Sequence, residues 1–335
     1  MNTALSADAR LAALSDWLAD VLGSRDFSLA PASTDASFRR YFRATLAHPH
    51  RSASDMRTLI VMDAPPPSED CRPFIHVAAL LADAGVHAPS IIAQDLARGF
   101  LLLTDLGTTT YLQALDDGNA PELFGDALDA LVRWQRATRA GVLPPYDDAL
   151  LRRELELFPE WYVSRHLGHA LTTSEREALS AVFDRIIAAN LAQPTVFVHR
   201  DYMPRNLMRS TPNPGVLDFQ GAVVGPITYD VASLFRDAFV SWEEERVLDW
   251  SVRYWDKAKK ASLPVAAEFA EFWRAFEWMG LQRHLKVLGI FARIHYRDGK
   301  PKYLQDTPRF IGYARAVASR YRELSPLARL LDALQ

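Results

Sequence analysis

The pattern of hydrophobic and polar positions along the first hundred residues predicts a small sheet and a helix. Between residues 27 and 62, aromatic and β-branched residues predict strands on either side of a polar stretch. A helix is predicted from Pro73 to Gly85, because four apolar side chains recur there at helical spacing. Apolar runs at 91–92 and 100–103 are bounded by turn residues and predict two more strands. We predict a lobe boundary near residue 105.

From residue 112 onward the spacing of apolar residues becomes helical, and a helical pattern continues to the end of the chain. Two short strand-like runs, at 196–198 and 216–217, interrupt it and carry polar residues at their ends. The chain is therefore predicted to be an α+β protein with two lobes. An N-terminal lobe with an antiparallel sheet would span 1–105, and a mostly helical C-terminal lobe would span 106–335.

Composition narrows the class of protein. The 335 residues carry a formal charge of −3, which offers no bulk attraction to nucleic acid. Cys71 is the single cysteine, so an intrachain disulfide is excluded. The opening 25 residues read as an amphipathic helix without the apolar core of a signal peptide, and no run of about 18 apolar residues occurs. We expect a cytoplasmic protein with neither a nucleic-acid nor a membrane partner.

One stretch carries polar residues in an order that suits phosphoryl transfer. Asp201 follows the apolar run at 196–198, Asn206 lies in the same loop, and Asp218 follows the next strand-like run. Phosphoryl transfer needs a carboxylate near the attacking hydroxyl and oxygen ligands for Mg²⁺. Asp or Asn alone in a loop often serves only turns and caps. Asp218 ends the second of the two runs, so a hairpin between them would bring the three side chains together.

The ordered pattern His-x-Asp-x-x-x-x-Asn followed by Asp-Phe resembles the catalytic loop and metal-binding segment of the protein-kinase-like superfamily. Residues 217–234 resemble the aminoglycoside phosphotransferase branch of that superfamily, which phosphorylates small molecules. The stretches 35–43, 61–66 and 199–208 are, with that segment, similar to a subgroup of sugar kinases, the anomeric N-acetylmuramate/N-acetylglucosamine kinases. The resemblance covers both predicted lobes and implies a bilobal protein-kinase-like fold.

Carried onto this sequence, the resemblance implies roles for five residues. Asp201 would be the catalytic base, with His199 supporting the loop. Asn206 and Asp218 would hold Mg²⁺, and ATP would be the phosphate donor. Asp230 would fix the backbone of the catalytic loop from the start of the next helix, although a plain N-cap role is the alternative.

The nucleotide site departs from the usual kinase pattern. No Gly-x-Gly-x-x-Gly occurs, and Met62 stands on the strand that usually presents a phosphate-binding lysine. A thioether cannot neutralise phosphate, so either an arginine of the group Arg39, Arg40 and Arg43 replaces that lysine or the nucleotide is held differently. Of the three we favour Arg40, which shares one face of an alternating strand with Phe38 and Phe42. A solvated arginine cluster is the alternative reading. Ser37 lies in the turn that would cover the phosphates, and Asp105 lies in the segment that would form the adenine-binding hinge.

Substrate contacts are predicted in the helical lobe, at Glu154, Trp161 and Arg283. The segment 278–304 holds six Lys or Arg and one Asp, a surplus of five positive charges. Such a surface would repel a polycationic aminoglycoside, whereas a neutral or carboxylate-bearing amino sugar would be tolerated. Trp161 could instead belong to the hydrophobic core, and the charged residues of 278–304 could form a solvated face.

These inferences predict ATP-dependent phosphorylation of the anomeric hydroxyl of N-acetylmuramate or N-acetylglucosamine, in bacterial peptidoglycan recycling. The expected partner is the small amino-sugar substrate, and the oligomeric state stays open. Two alternatives remain at this point. One is another small-molecule kinase of the aminoglycoside phosphotransferase family, and the other is a non-catalytic nucleotide-binding module, suggested by the missing lysine and glycine loop.

Overall fold

The structure is a computed structural model that describes residues 7–33, 38–48 and 56–334. The chain forms two compact units. The first contains residues up to Thr109 together with Met208–Gln220, and the second contains the rest. The boundary predicted at residue 105 thus lies close to Thr109, where the chain first passes from the first unit to the second. The return of Met208–Gln220 to the first unit was not foreseen from the sequence.

The first unit is built on a five-stranded sheet in which every neighbouring pair is antiparallel, in the order β1-β2-β3-β5-β4. Its strands are β1 (Phe27–Ser33), β2 (Arg40–Leu46), β3 (Thr58–Asp63), β4 (Ile91–Asp95) and β5 (Phe100–Thr104). The strands predicted within 27–62 and at 91–92 and 100–103 are therefore confirmed. The register places Arg40 directly opposite Asp63, so a cation and an anion face each other at one end of the β2–β3 ladder.

The helices α1 (Ala7–Leu22) and α2 (Arg72–Asp83) belong to the first unit. The apolar face of α1 packs on the sheet, where the ring of Trp17 lies 5.7 Å from that of Phe100. Burial of side chains of this size contributes about 1.5–3 kcal/mol each, so α1 is an integral part of this core. The helix predicted from Pro73 to Gly85 is confirmed as α2, with Pro in its first turn.

The returning segment packs within the first unit. The ring of Phe219 lies 4.6 Å from that of Phe74 on α2. The backbone N–H of Val216 donates to the carbonyl of His87 at 2.7 Å, and Nδ1 of His87 lies 3.2 Å from Oγ of Ser210. This segment therefore completes the first unit from a distant part of the chain.

The two strand-like runs of the later half do form strands, but the predicted hairpin between them is wrong. They are β6 (Thr195–Val198) and β8 (Gly215–Val216). β8 pairs with β7 (Leu207–Met208), and β6 pairs antiparallel with β9 (Val223–Pro226). The physical reason is that β6 finds a partner within the second unit, where Val198 lies opposite Val223.

The second unit is mainly helical. Its helices are α3 (Tyr111–Ala114), α4 (Ala120–Arg136), α5 (Asp148–Leu155), α6 (Thr173–Leu191), α7 (Tyr229–Phe235), α8 (Glu244–Lys260), α9 (Phe269–Asp298), α10 (Thr307–Arg320) and α11 (Ser325–Ala333). A π-helical segment, Phe158–His166, follows α5. In the described part of the chain, no helix is both long enough and apolar enough to cross a membrane.

The 30-residue helix α9 packs against α6, α7, α10 and the π-helical segment. It approaches one neighbour closely at Gly289. A Cβ added there would lie 2.3 Å from the carbonyl carbon of Leu157, between α5 and the π-helical segment. Only glycine permits this approach, so Gly289 sets how closely α9 meets the end of α5.

Candidate active site

The loop that follows β6 is braced from within. The backbone N–H of Asp201 donates to Nδ1 of His199 at 3.2 Å, and Nδ2 of Asn206 donates to the carbonyl oxygen of Asp201 at 2.9 Å. The hydroxyl of the buried Tyr202 donates to the carbonyl of Ala127 on α4 at 2.7 Å. The structure thus brings His199, Asp201 and Asn206 together on one short, anchored loop. His199 contacts the backbone of Asp201, and its role in the reaction stays a prediction.

Asp230 holds the start of this loop. Its Oδ2 accepts the backbone N–H of His199 at 2.7 Å, and its Oδ1 accepts that of Arg200 at 3.0 Å. The N-cap of α7 is Thr228, so the alternative N-cap role of Asp230 is wrong and the backbone role is confirmed. Burial raises the pKa of Asp230 to about 7, even though the two N–H groups favour its charged form.

Asp218 belongs to the first unit, in the returning segment. Its backbone is left-handed, with φ of 62°, and its Oδ1 accepts a hydrogen bond from Nε2 of Gln220 at 2.7 Å. Asn206 uses its amide nitrogen as a donor, so its amide oxygen is the atom that can act as a ligand. Carboxylate and amide oxygens are the hard ligands that Mg²⁺ prefers, so the donor chemistry of the two residues fits that ion.

Arg200, immediately before Asp201, has a left-handed backbone with φ of 76°, which is unusual for a residue with a Cβ. Its Nη2 lies 2.5 Å from Oε1 of Glu154 on α5. Nζ of Lys286 on α9 lies 3.1 Å from the same oxygen, and the hydroxyl of Tyr146 donates to Oε2. Burial alone would raise the pKa of Glu154, but Lys286 and Arg200 outweigh it and the pKa is lowered. Glu154 is therefore a buried anion held by three partners.

The other predicted substrate residues lie on different elements. Trp161 is half-buried on the π-helical segment. Arg283 on α9 is only 4% exposed, and its guanidinium carbon lies 5.4 Å from the ring centre of Tyr229. Within the described part of the chain, its buried Nε and Nη1 have no hydrogen-bond acceptor. Such a group can donate hydrogen bonds to a ligand oxygen or to an ordered water.

The positive surplus of residues 278–304 does not form one solvated face. Lys286 is directed inward to Glu154, and Arg283 is buried beside Tyr229. By contrast, Arg297 pairs with its neighbour Asp298 on the exposed end of α9. The charge count from sequence therefore combined two separate groups, one internal and one exposed.

Arg40, the expected phosphate-binding residue, pairs with Asp63. Its Nε donates to Oδ2 of Asp63 at 2.9 Å, and Arg10 on α1 donates to Oδ1 of the same carboxylate at 3.1 Å. Asp63 is fully buried, whereas the Arg40 side chain keeps 32% exposure. Two guanidinium groups thus share one carboxylate, so these three side chains together carry one positive charge.

Asp105, expected in the hinge, uses its carboxylate within the protein. Nε of Arg43 donates to its Oδ2 at 2.6 Å and Nη2 donates to Oδ1 at 3.1 Å, a bidentate pair. Burial acts to raise the pKa of Asp105, but Arg43 and the N–H of Gly107 outweigh it and the pKa is lowered. Ser37, the third predicted nucleotide residue, lies outside the described residues.

Sequence reasoning assigned no role to Arg200, Tyr146 or Tyr229. The sequence did contain a signal for Arg200, because it lies between His199 and Asp201 of the motif. If such a cation is buried, it needs an anionic partner. The identity of that counter-charge, Glu154, could not be read from the chain, because 46 residues separate the two.

Comparison with known proteins agrees with this geometry. The chain matches the phosphotransferase enzyme family over residues 28–272, and it belongs to this family. The N-acetylmuramate/N-acetylglucosamine kinase of Pseudomonas aeruginosa is 55% identical over 340 positions, which cover 98% of each chain. The protein of the same name in Neisseria meningitidis is 49% identical over 322 positions, covering 95% of this chain and 94% of that one. The predicted resemblance to these kinases is confirmed over nearly the whole chain.

Solved structures share the fold at much lower identity. An aminoglycoside phosphotransferase in its ADP-bound form superposes with a TM-score of 0.61 at 14% identity, over 92% of this chain and 98% of that one. The choline kinase LicA of Streptococcus pneumoniae gives a TM-score of 0.62 at 15% identity, over 91% of this chain and 99% of that one. The predicted α+β, protein-kinase-like fold, with an antiparallel sheet and a mostly helical remainder, is confirmed.

Proposed function

We propose that this protein is an ATP-dependent sugar kinase that phosphorylates the anomeric hydroxyl of N-acetylmuramate, N-acetylglucosamine or both, and that it serves peptidoglycan recycling. The observation that carries the choice of substrate is the 55% identity, over 98% of both chains, to a kinase named for these two sugars. The braced loop that bears Asp201 supports the transfer chemistry, because phosphoryl transfer depends chiefly on positioning.

In the proposed reaction, the carboxylate of Asp201 accepts a hydrogen bond from the anomeric hydroxyl and orients its oxygen toward the γ-phosphorus of ATP. A bond forms between that oxygen and the γ-phosphorus while the bond to the β–γ bridging oxygen breaks, and ADP leaves. The hydroxyl proton passes to Asp201 late in the step. An anomeric hydroxyl is more acidic than an ordinary alcohol, so the demand on the base is modest.

Asn206 and Asp218 are proposed to hold Mg²⁺ through their oxygens, and the ion would neutralise charge on the β- and γ-phosphate oxygens. For the nucleotide itself we propose Arg40, Ser37 and Asp105. The partial exposure of Arg40 supports this proposal. The carboxylate of Asp63 fixes one edge of the Arg40 guanidinium, and because Arg10 also pairs with that carboxylate, the charge of Arg40 is only partly neutralised. Because the Asp105 carboxylate is engaged by Arg43, its contribution would come through the backbone.

On the substrate side, we propose that Trp161 and Arg283 contact the sugar. A half-buried indole suits the apolar face of a pyranose. A buried guanidinium in which two nitrogens lack an acceptor among the described residues suits a hydroxyl, amide or carboxylate oxygen. Glu154 was predicted as a third contact. Its three protein partners instead favour a role within the protein.

The decisive experiment is turnover of ATP with Mg²⁺ against N-acetylmuramate, N-acetylglucosamine, kanamycin and choline, with the product analysed by NMR. We expect phosphorus coupling to C1 of one or both N-acetylated sugars. Phosphate at another carbon would overturn the anomeric assignment. Turnover of choline or kanamycin alone would replace the sugar with another small-molecule acceptor. ATP binding without turnover of any acceptor would favour a nucleotide-binding module.

A further inference from the structure

Arg200 is held from two sides. Its backbone N–H donates to Asp230, and its side chain reaches Glu154 on α5, with a weaker contact from Nη1 to the carbonyl of Gly221 at 3.5 Å. Its guanidinium carbon also lies 5.7 Å from the ring centre of Tyr146. Both ends of the residue are therefore fixed by groups that come from other elements of the second unit.

The two anchors of Arg200 are connected to each other. Nζ of Lys286 lies 3.1 Å from Oε1 of Glu154 and donates to the hydroxyl of Tyr229 at 3.0 Å. Tyr229 is the first residue of α7, and Asp230 follows it. The contacts therefore form a closed circuit that runs from Arg200 through Glu154, Lys286 and α7 back to the backbone of Arg200.

The left-handed backbone of Arg200 makes this circuit necessary. Steric contact of the Cβ disfavours a φ of 76° for any residue other than glycine, so the surrounding structure must impose it. The next residue is Asp201, and the direction of the chain at Arg200 therefore sets where the Asp201 carboxylate lies. Glu154 itself has a side chain only 7% exposed, which leaves little of it for a substrate to touch.

We propose that Glu154 is a positioning residue, which holds Arg200 in its left-handed conformation and thereby places Asp201 for phosphoryl transfer. The inference rests on the proposed function in taking Asp201 as the catalytic base. In this role Glu154 affects the chemical step, through Arg200. A residue that contacts the substrate would instead affect binding of the sugar. The two roles have different kinetic consequences.

The first test compares Glu154→Gln with the matched control Asp184→Asn. Asp184 pairs with Arg152, which lies on the same helix as Glu154, but the Asp184 side chain is 64% exposed. We expect Glu154→Gln to lower kcat by up to about 100-fold with unchanged KM for ATP and sugar, because misplacement of a catalytic group affects the chemical step. The control should match the wild type. A raised KM for the sugar with unchanged kcat would overturn the proposal.

A second test compares Arg200→Gly with Arg200→Ala. Both remove the same guanidinium, but glycine accepts a positive φ without steric cost and alanine does not. We expect Arg200→Gly to retain at least about tenfold more kcat than Arg200→Ala, since a 1 Å misplacement can cost about 100-fold. Equal activity of the two variants would overturn a role that acts through the backbone.

If the wild type turns over no acceptor, the proposed function fails, and hydrogen exchange tests the inference separately. Loss of the Glu154 charge should speed exchange of the amides in 199–206 relative to Asp184→Asn, because their positions depend on the circuit. Unchanged exchange in these amides would overturn the inference.

Discussion

Replacing Gly289 with alanine tests how the packing of α9 supports the candidate site. The added Cβ would lie 2.3 Å from the carbonyl carbon of Leu157 and 2.4 Å from its oxygen, about 1 Å closer than the 3.4 Å at which ordinary contact begins. Both atoms belong to the backbone, so no side-chain rotation relieves the clash. Overpacking costs about 1–3 kcal/mol, and the helix propensity of alanine returns about 1 kcal/mol. Because both contacts are with backbone atoms, the upper end of that cost applies, and we expect a net loss of about 2 kcal/mol.

The clash also bears on catalysis. Lys286 lies one turn before Gly289, and Glu154 lies one turn before Leu157, so separating the two backbones would lengthen the 3.1 Å contact between these side chains. We therefore expect Gly289→Ala to melt about 4–8 °C below the wild type and to lose kcat with little change in KM.

Thermal unfolding and steady-state kinetics of Gly289→Ala should be measured beside Gly312→Ala. Gly312 is the matched control, because it lies on α10 and a Cβ added there would meet nothing within 4 Å. The control should be unchanged or more stable by up to about 1 kcal/mol. A melting temperature of Gly289→Ala equal to or above that of the control would refute the reasoning.

Three further predictions concern the candidate site. Asp201→Asn should lower kcat by about 100- to 10,000-fold in steady-state assays while the Kd for ATP stays near wild type, and wild-type turnover would contradict a base at this position. Asp218→Asn should weaken ATP binding in calorimetry with Mg²⁺ but not in EDTA, whereas an equal loss in both would argue against a metal ligand. The pKa of Asp230 is about 7 in the folded protein, against an ordinary value of 3.8. Between these two pH values the folded state therefore binds more protons than the unfolded state. Stability should therefore fall as pH rises through this window, by up to about 1.4 kcal/mol per pH unit for this one group. This is checked by urea unfolding of wild type and Asp230→Asn at about pH 5, 6 and 7. If the free energy of unfolding changed equally with pH in the two proteins, the prediction would be wrong.

Local patterns were sufficient for much of the fold and for the order of the motif. Apolar periodicity placed α2 and the strands of the first sheet, because each element buries one face that recurs at its own spacing. The catalytic loop was recognisable since its residues are adjacent in sequence. The contact between Asp230 and the loop followed from the resemblance and is present in the structure.

Contacts that depend on distant chain segments could not be predicted in the same way. β6 pairs with β9, whose Gly-Pro ending reads as a turn, so the sequence favoured the wrong partner. The three partners of Glu154 lie 8, 46 and 132 residues away from it in the sequence, and no local pattern of apolar residues predicts such contacts. The approach of α9 at Gly289 likewise depends on a backbone far away in sequence.

The return of Met208–Gln220 to the first unit affects how the protein can be made and divided. A ribosome that has released only the first 109 residues has not yet supplied the chain that covers Phe74 and bonds to His87. The first unit can therefore be completed only after about half of the second has been synthesised. Cutting the gene at residue 105 or 109 would yield a fragment with an exposed apolar face. A split version that reassembles would instead have to carry Met208–Gln220 on the first fragment.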